Sequence, residues 1–216
     1  MAIKVLVIDD SPLIRGLLTE ILNAAADINV VGTAEDPFDA REKIKQFNPD
    51  VLTLDIEMPR MDGISFLKNL MRLRPMPVVM VSTLTAEGAP ATLQALELGA
   101  VDYVSKPKNN VAEALNDYQD EIHDKVRTAA LAKVRASTEI QTSTVQGSVL
   151  HADRMKFKDN YLLAIGASTG GTEAIKEVVL QLPEHCPPVV VTQHIPPMFS
   201  TSFAARLDAA AKVTVH

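Results

Sequence analysis

The sequence predicts an α/β protein: a doubly wound parallel (βα)5 domain followed by a second, truncated parallel α/β unit. Short β-branched runs alternate with amphipathic helical stretches through the first 124 residues. Two of the runs end in carboxylates, Asp9-Asp10 and Asp55, as strands do when they bring polar groups to the carboxyl edge of an open sheet. After a stretch rich in Ser, Thr, Gln and Gly, a strand-turn-helix pattern begins again at Tyr161.

Residues 3–8 form the first predicted strand. Ser11-Pro12 then opens a helix, the serine as cap and the proline in the first turn. Leu13, Ile14, Leu17, Leu18, Ile21 and Leu22 give that helix its buried face. Residues 28–32 form a second strand, followed by a helix over 37–47 with Phe38, Ile44 and Phe47 inward, stopped by Asn48-Pro49. The third strand, 51–54, delivers Asp55, and the Met58-Pro59 and Asp62-Gly63 turn leads to a helix over 64–73. After the stiff Arg74-Pro75-Met76-Pro77 connector, strand 78–81 ends in Ser82-Thr83, and a helix over 87–98 stops at Gly99. The fifth strand, 101–104, precedes Ser105-Lys106-Pro107, and the fifth helix runs from about Val111 to Lys133. In the second unit, strand 161–165, a turn over 166–171, helix 172–182, strand 188–192, helix 199–212 and a last strand over 213–216 are expected. The organisation read from this is a first domain over 1–124, a helical extension and linker over 125–158, and the start of a second domain over 159–216.

Composition bounds the function. The chain has 216 residues, 47% of them apolar, enough for real cores although Trp is absent. No apolar run approaches the ~20 residues that span a bilayer, so no membrane insertion is expected. A single cysteine, Cys186, cannot form an internal disulfide, and a reducing cytoplasm is the expected compartment. Beside His185, with Pro187-Pro188 following, it reads as a loop residue without chemistry. Residues 1–124 hold 11 basic and 20 acidic side chains, and residues 125–216 hold 10 and 7. Neither part carries the basic cluster of a nucleic-acid-binding domain. Met58, Met61, Met71, Met76 and Met80 fall in the third and fourth βα units, where they suit gap-filling.

If the first and third strands are neighbours, Asp9, Asp10 and Asp55 converge, and like charges that close call for a cation among them. Mg²⁺, which takes several oxygen ligands, is the simplest occupant. The same edge receives Lys106 from the fifth strand and the Ser82 hydroxyl from the fourth. A carboxylate nucleophile, a Mg²⁺ site, a fixed cation and a hydroxyl donor are what aspartyl phosphorylation needs. Asp55, alone on the central strand, is the best nucleophile. With Met58-Pro59 and Asp62-Gly63 added, residues 3–122 resemble a response-regulator receiver domain. The resemblance implies that a histidine kinase phosphorylates Asp55, that Glu57 offers its backbone carbonyl to Mg²⁺, and that Tyr103 is an aromatic switch following Ser82.

In the second unit, Gly166-Ala167-Ser168-Thr169-Gly170 fits a G-x-S-x-G turn that exposes a serine Oγ, a pattern equally open to simple packing or a phosphate cradle. His194, at the end of the next strand, suits a general base beside Ser168. Acyl transfer then follows: His194 takes the Ser168 proton, Oγ attacks an ester carbonyl, and amides near Gly170 and Gly171 stabilise the oxyanion. Asp159, Glu184 and Asp208 are the available carboxylates, but none stands at a predicted strand end.

Ile165 to Gly171 and Thr192-Gln193-His194-Ile195-Pro196, together with the receiver, resemble the chemotaxis protein-glutamate methylesterases of the CheB type. That resemblance implies Ser168 as nucleophile and His194 as its base. It implies γ-glutamyl methyl esters on the cytoplasmic helices of chemoreceptors as substrate, glutamine deamidation as a sister reaction, and no cofactor for ester hydrolysis. The unphosphorylated receiver is expected to cover the catalytic cleft. The family's third member, an Asp, is expected beyond residue 216, so the chain as it stands is expected to accept phosphate but to turn over poorly. The alternative is a receiver acting as a phosphate sink or interaction module without catalytic output.

Overall fold

The apolar run Val5-Leu6-Val7-Ile8 lies at the centre of the first unit, almost wholly shielded from solvent. In the computed structural model, which describes residues 2–83, 88–106, 112–134 and 161–216, the run belongs to β1 (Ile3–Ile8). There follow α1 (Pro12–Asn23), β2 (Ile28–Ala34), α2 (Pro37–Phe47), β3 (Val51–Asp55), α3 (Gly63–Leu73), β4 (Val78–Ser82), α4 (Ala89–Glu97), β5 (Asp102–Ser105) and α5 (Ala112–Leu131). The remaining elements are β6 (Leu163–Ala167), α6 (Gly171–Val179), β7 (Val189–Gln193) and α7 (Pro197–Ala210). The chain divides into two units, Met1–Glu139 and Ile140–His216. The predicted linker over 136–158 lies outside the described residues.

In the first unit β2-β1-β3-β4-β5 form one sheet with every pairing parallel. The strand order reverses between β1 and β3, so a crevice opens at their carboxyl ends. β3 and β4 are buried along their whole length, as strands covered by helices on both faces must be. Val5, Val7, Val51, Val79, Val81 and Val104 face one side, where Leu18, Ile21 and Leu22 of α1 and Ile122, Val126 and Ala129 of α5 pack against them. Because Val126 and Ala129 sit in this core, the helix beyond residue 124 is part of the first unit rather than an extension from it.

Local chemistry fixes the helix starts. Ser11 Oγ accepts from Ile14 N (3.4 Å), Asp36 accepts from the amides of Phe38 and Asp39 (2.9 Å each), and Asp62 accepts from Ser65 N (2.7 Å). At the other end of α4, Gly99 adopts φ +107°, which ends the helix as its position predicts. Two residues expected inward face solvent instead: Leu13 and Phe38 are both exposed. Leu13 lies ~140° round the helix from Leu18 and ~180° from Leu22, off the stripe that those residues bury, and Phe38 lies in the first turn of α2, away from Ile44.

In the second unit β6 and β7 pair in parallel from Leu163↔Val189 to Ala167↔Gln193. A small core of Ile175, Val179 and Leu207 lies beneath, flanked by Ile165, Phe203, Val213 and Val215. Residues 213–216 were expected to add a strand. They pair with neither β6 nor β7, and Val213 and Val215 pack their side chains onto the small core instead. Asp208 Oδ1 holds this segment by accepting from Val215 N (2.9 Å). Both strands run later than the apolar runs suggest, so Gly166 and Ala167 belong to β6 and the turn shrinks to Ser168, Thr169 and Gly170.

Candidate functional site

The parallel register of β1 and β3, Ile8↔Leu54, puts Asp9 and Asp55 side by side at the sheet edge. Both are fully buried, and Asp10 beside them is exposed. One oxygen from each of Asp9, Asp10 and Asp55 lies within 4.8 Å of the others, near the ~4 Å that separates opposed oxygens around an octahedral Mg²⁺. Lys106 follows β5, two strands from β3 and so roughly 10 Å away at the backbone, a span that takes a long side chain. Its Nζ reaches Asp55 Oδ2 at 2.8 Å and Asp9 Oδ2 at 3.2 Å. Its amide donates to Ser82 O (2.8 Å), which fixes the start of that reach.

Asp9 Oδ1 accepts from Ser11 N (2.9 Å), and Arg15 Nη1 donates to the carbonyls of Asp9 (2.8 Å) and Asp10 (3.0 Å). Asp55 Oδ1 is buried without a hydrogen-bond partner among the described residues. A buried carboxylate oxygen with a free lone pair, beside two further carboxylates, fits a divalent cation. Burial pushes the Asp55 carboxyl up to about 6, with the Asp9 charge adding to it and Lys106 opposing it. Burial likewise works against the Lys106 charge, but its bonds to Asp55 and Asp9 prevail and hold its pKa above the ordinary value.

The loop from Ile56 to Asp62 leads from β3 to α3. Gly63 N donates to Ile56 O (2.8 Å), Met61 N to Pro59 O (2.8 Å), and Arg60, at φ +69°, pairs with Asp36 (2.9 Å). Ser82 is buried at the end of β4, and Thr92 Oγ1 of α4 donates to its Oγ at 3.5 Å. Tyr103 is buried on β5. Lys125 of α5 donates to its carbonyl (2.6 Å), stands 4.9 Å above its ring and pairs with Glu121 (2.9 Å).

Ser168 and His194 sit at the second sheet's corresponding edge, each one residue beyond the last paired residues, Ala167 and Gln193. Both side chains are exposed, and no hydrogen bond joins them among the described residues. Gly170 adopts φ +71°, the left-handed conformation that lets the chain turn from β6 into α6. Gly171 N, expected among the oxyanion donors, already donates to Ser168 O (2.7 Å).

Residues 5–116, over half the chain, match the response regulator receiver domain family. The chain belongs to that family. Its receiver is also similar to the response regulator domain of Thermotoga maritima CheB, at 42% identity and TM-score 0.55, over 62% of this chain and 99% of that one. Residues 163–216 match the CheB methylesterase family. Two curated relatives carry both parts. The protein-glutamate methylesterase/protein-glutamine glutaminase 2 of Saccharophagus degradans is 60% identical over 99% of this chain and 62% of its own length. The protein-glutamate methylesterase/protein-glutamine glutaminase 1 of Albidiferax ferrireducens is 56% identical over 99% and 59%. The chain thus spans about three fifths of the length of these relatives.

Sequence reasoning missed some polar residues around these sites. Thr92 lies between apolar neighbours on α4, and a threonine at a core-facing helix position is a signal available in the sequence. Thr53 and Tyr118 bring buried hydroxyls to the receiver core, without hydrogen bonds among the described residues. Gln193 reads from the sequence only as the end of a strand, yet its side chain touches both turns of the second site.

Proposed function

We propose that this chain carries the receiver and the start of the catalytic domain of a phosphorylation-regulated protein-glutamate methylesterase. The substrates are γ-glutamyl methyl esters on the cytoplasmic helices of chemoreceptors, with deamidation of receptor glutamines as a sister reaction. The carrying observation is that one chain joins two sheet edges: carboxylates bridged by Lys106 at the first, and Ser168 and His194 at equivalent ends of adjacent parallel strands at the second.

At the first edge the Asp55 carboxylate attacks the phosphoryl group of a histidine kinase. An O–P bond forms as the P–N bond of phosphohistidine breaks. Asp9, Asp10, Asp55 and the Glu57 carbonyl would hold Mg²⁺, which when bound neutralises charge on the phosphoryl oxygens. Lys106 binds a phosphoryl oxygen, the Ser82 hydroxyl donates to another, and Tyr103 repacks as Ser82 moves. At the second edge His194 takes the Ser168 proton and Oγ adds to the ester carbonyl. Methanol leaves, and water then releases the glutamate. With Gly171 N engaged by Ser168 O, the Gly170 amide is the nearer candidate for the oxyanion.

Methanol release from a methylated receptor fragment tests both halves in the whole protein. Ser168→Ala is expected to lower the rate at least ~1000-fold while leaving Asp55 phosphorylation intact. A small-molecule phosphodonor is expected to raise the wild-type rate. Hydrolysis undiminished in Ser168→Ala overturns the nucleophile, and equal rates with and without phosphodonor overturn the regulation.

A further inference from the structure

We propose that Gln193 is a positioning residue that locks the turn carrying Ser168 to the turn carrying His194; the proposal rests on the esterase reading of those two residues. Gln193 closes β7, opposite Ala167, where the ladder between β6 and β7 ends. Its side-chain Nε2 donates to the carbonyl of Ser168 at 2.9 Å and to that of His194 at 3.2 Å. Both partners are carbonyl oxygens, so the amide's orientation is settled: only nitrogen can face them. Past the last strand pair, the one backbone hydrogen bond from β7's side to β6's among the described residues is His194 N to Ala167 O, at 3.2 Å. Gln193 thus supplies the side-chain link between the two segments at the point where their reactive groups emerge.

The other end of the amide explains the second glycine of the turn. Gln193 Oε1 is buried against Gly171, where a Cβ would collide with it and come within 2.7 Å of the Ala167 Cβ. Gly170 is needed for its positive φ, whereas Gly171 is needed for the room the Gln193 amide takes. The Ser168 carbonyl consequently accepts two hydrogen bonds, one from Gly171 N across the turn and one from Gln193 across the sheet. A serine and a histidine that are both exposed, and not bonded to each other, owe their separation to the backbones that carry them. A displacement of about 1 Å between reacting groups can cost ~100-fold in rate.

The test is steady-state hydrolysis of a methylated receptor fragment by the whole protein. Gln193→Leu, apolar and unable to donate, is expected to lower kcat about 10- to 100-fold with KM changed less than threefold. Labelling of Ser168 by a fluorophosphonate should slow in parallel, while Asp55 phosphorylation and far-UV circular dichroism stay at wild-type levels. Should Gln193→Leu not fold, Gln193→Glu is read the same way at pH 8, where a carboxylate cannot donate to the two carbonyls. In the double variant Gln193→Leu/Gly171→Ala the losses should not add, because either change alone removes the same clamp. Wild-type kcat in Gln193→Leu or in Gln193→Glu, with hydrolysis still dependent on Ser168, overturns the positioning role alone. Absence of Ser168-dependent hydrolysis in the wild type overturns the esterase reading, and the positioning role with it.

Discussion

Asp55 is caught between two opposing effects: burial favours its neutral form and Lys106 favours its anion, and burial prevails, leaving the carboxyl at about 6. The folded chain therefore binds this proton more tightly than the unfolded chain does. The stability contributed is fully present below about pH 4 and is lost as pH rises through about 6. In the presence of a chelator, Asp55→Asn should remove that slope and raise stability at pH 7 by about 1–3 kcal/mol. Urea unfolding at pH 4.5 and 7 measures it, and a variant no more stable than wild type at pH 7 counts against the strained carboxylate. Lys106 and the three acids were legible in the sequence because strand ends in a parallel sheet have one place to go. Thr92 was not, since a threonine amid apolar helix residues reveals its hydroxyl's partner only when β4 and α4 are packed. Nor was Gln193, whose role depends on a register between β6 and β7 that no local pattern contains.

At the scale of elements, the junction of β3 with α3 decides how Asp55 is presented. Gly63 begins α3, and a Cβ there would collide with the Asp55 carbonyl oxygen and meet Ile56 Cα at 3.0 Å. Gly63→Ala thus sets two effects against each other. Helix propensity favours alanine by about 0.5–1 kcal/mol, and overpacking costs about 1–3 kcal/mol. Because the obstacle is backbone, the second should win. The variant is expected to unfold at lower urea and to bind Mg²⁺ more weakly, as the end of β3 is pushed back, with binding followed by quenching of tyrosine fluorescence. An unchanged midpoint would mean that the loop yields without moving Asp55. The same elements show what sequence periodicity resolves. Every strand and helix of the first unit was legible, since two-residue and 3.6-residue periods separate cleanly there. Boundaries shifted where small residues continue a strand, as Gly166 and Ala167 continue β6 and Thr33 and Ala34 continue β2. The strand expected over 213–216 failed for a tertiary reason: an apolar alternation suits a side-chain plug as well as a strand, and here Val213 and Val215 cover the small core.

For the whole molecule, the two units differ in how much water they exclude. β3 and β4 are buried at every position, whereas Leu163, Val190 and Val191 leave much of the β6–β7 pair open to solvent. Nearly all the fully buried side chains belong to the first unit, and the second centres on Ile175, Val179 and Leu207, with Phe199 also buried. Hydrogen exchange reports local opening, whose free energy follows the apolar contacts that opening breaks. Amides of β6 and β7 should therefore exchange at least about 100-fold faster than those of β3 and β4 in this same chain, under conditions where neither set unfolds globally. Equal protection in the two sheets would mean that something other than the small core holds the second unit, because two half-exposed strands over four buried side chains cannot match a sheet covered on both faces. A looser second sheet also bears on the esterase reading. The separation of Ser168 from His194 would then depend on the few bonds at the strand ends, the amide of Gln193 foremost, more than on the rigidity of the layer beneath.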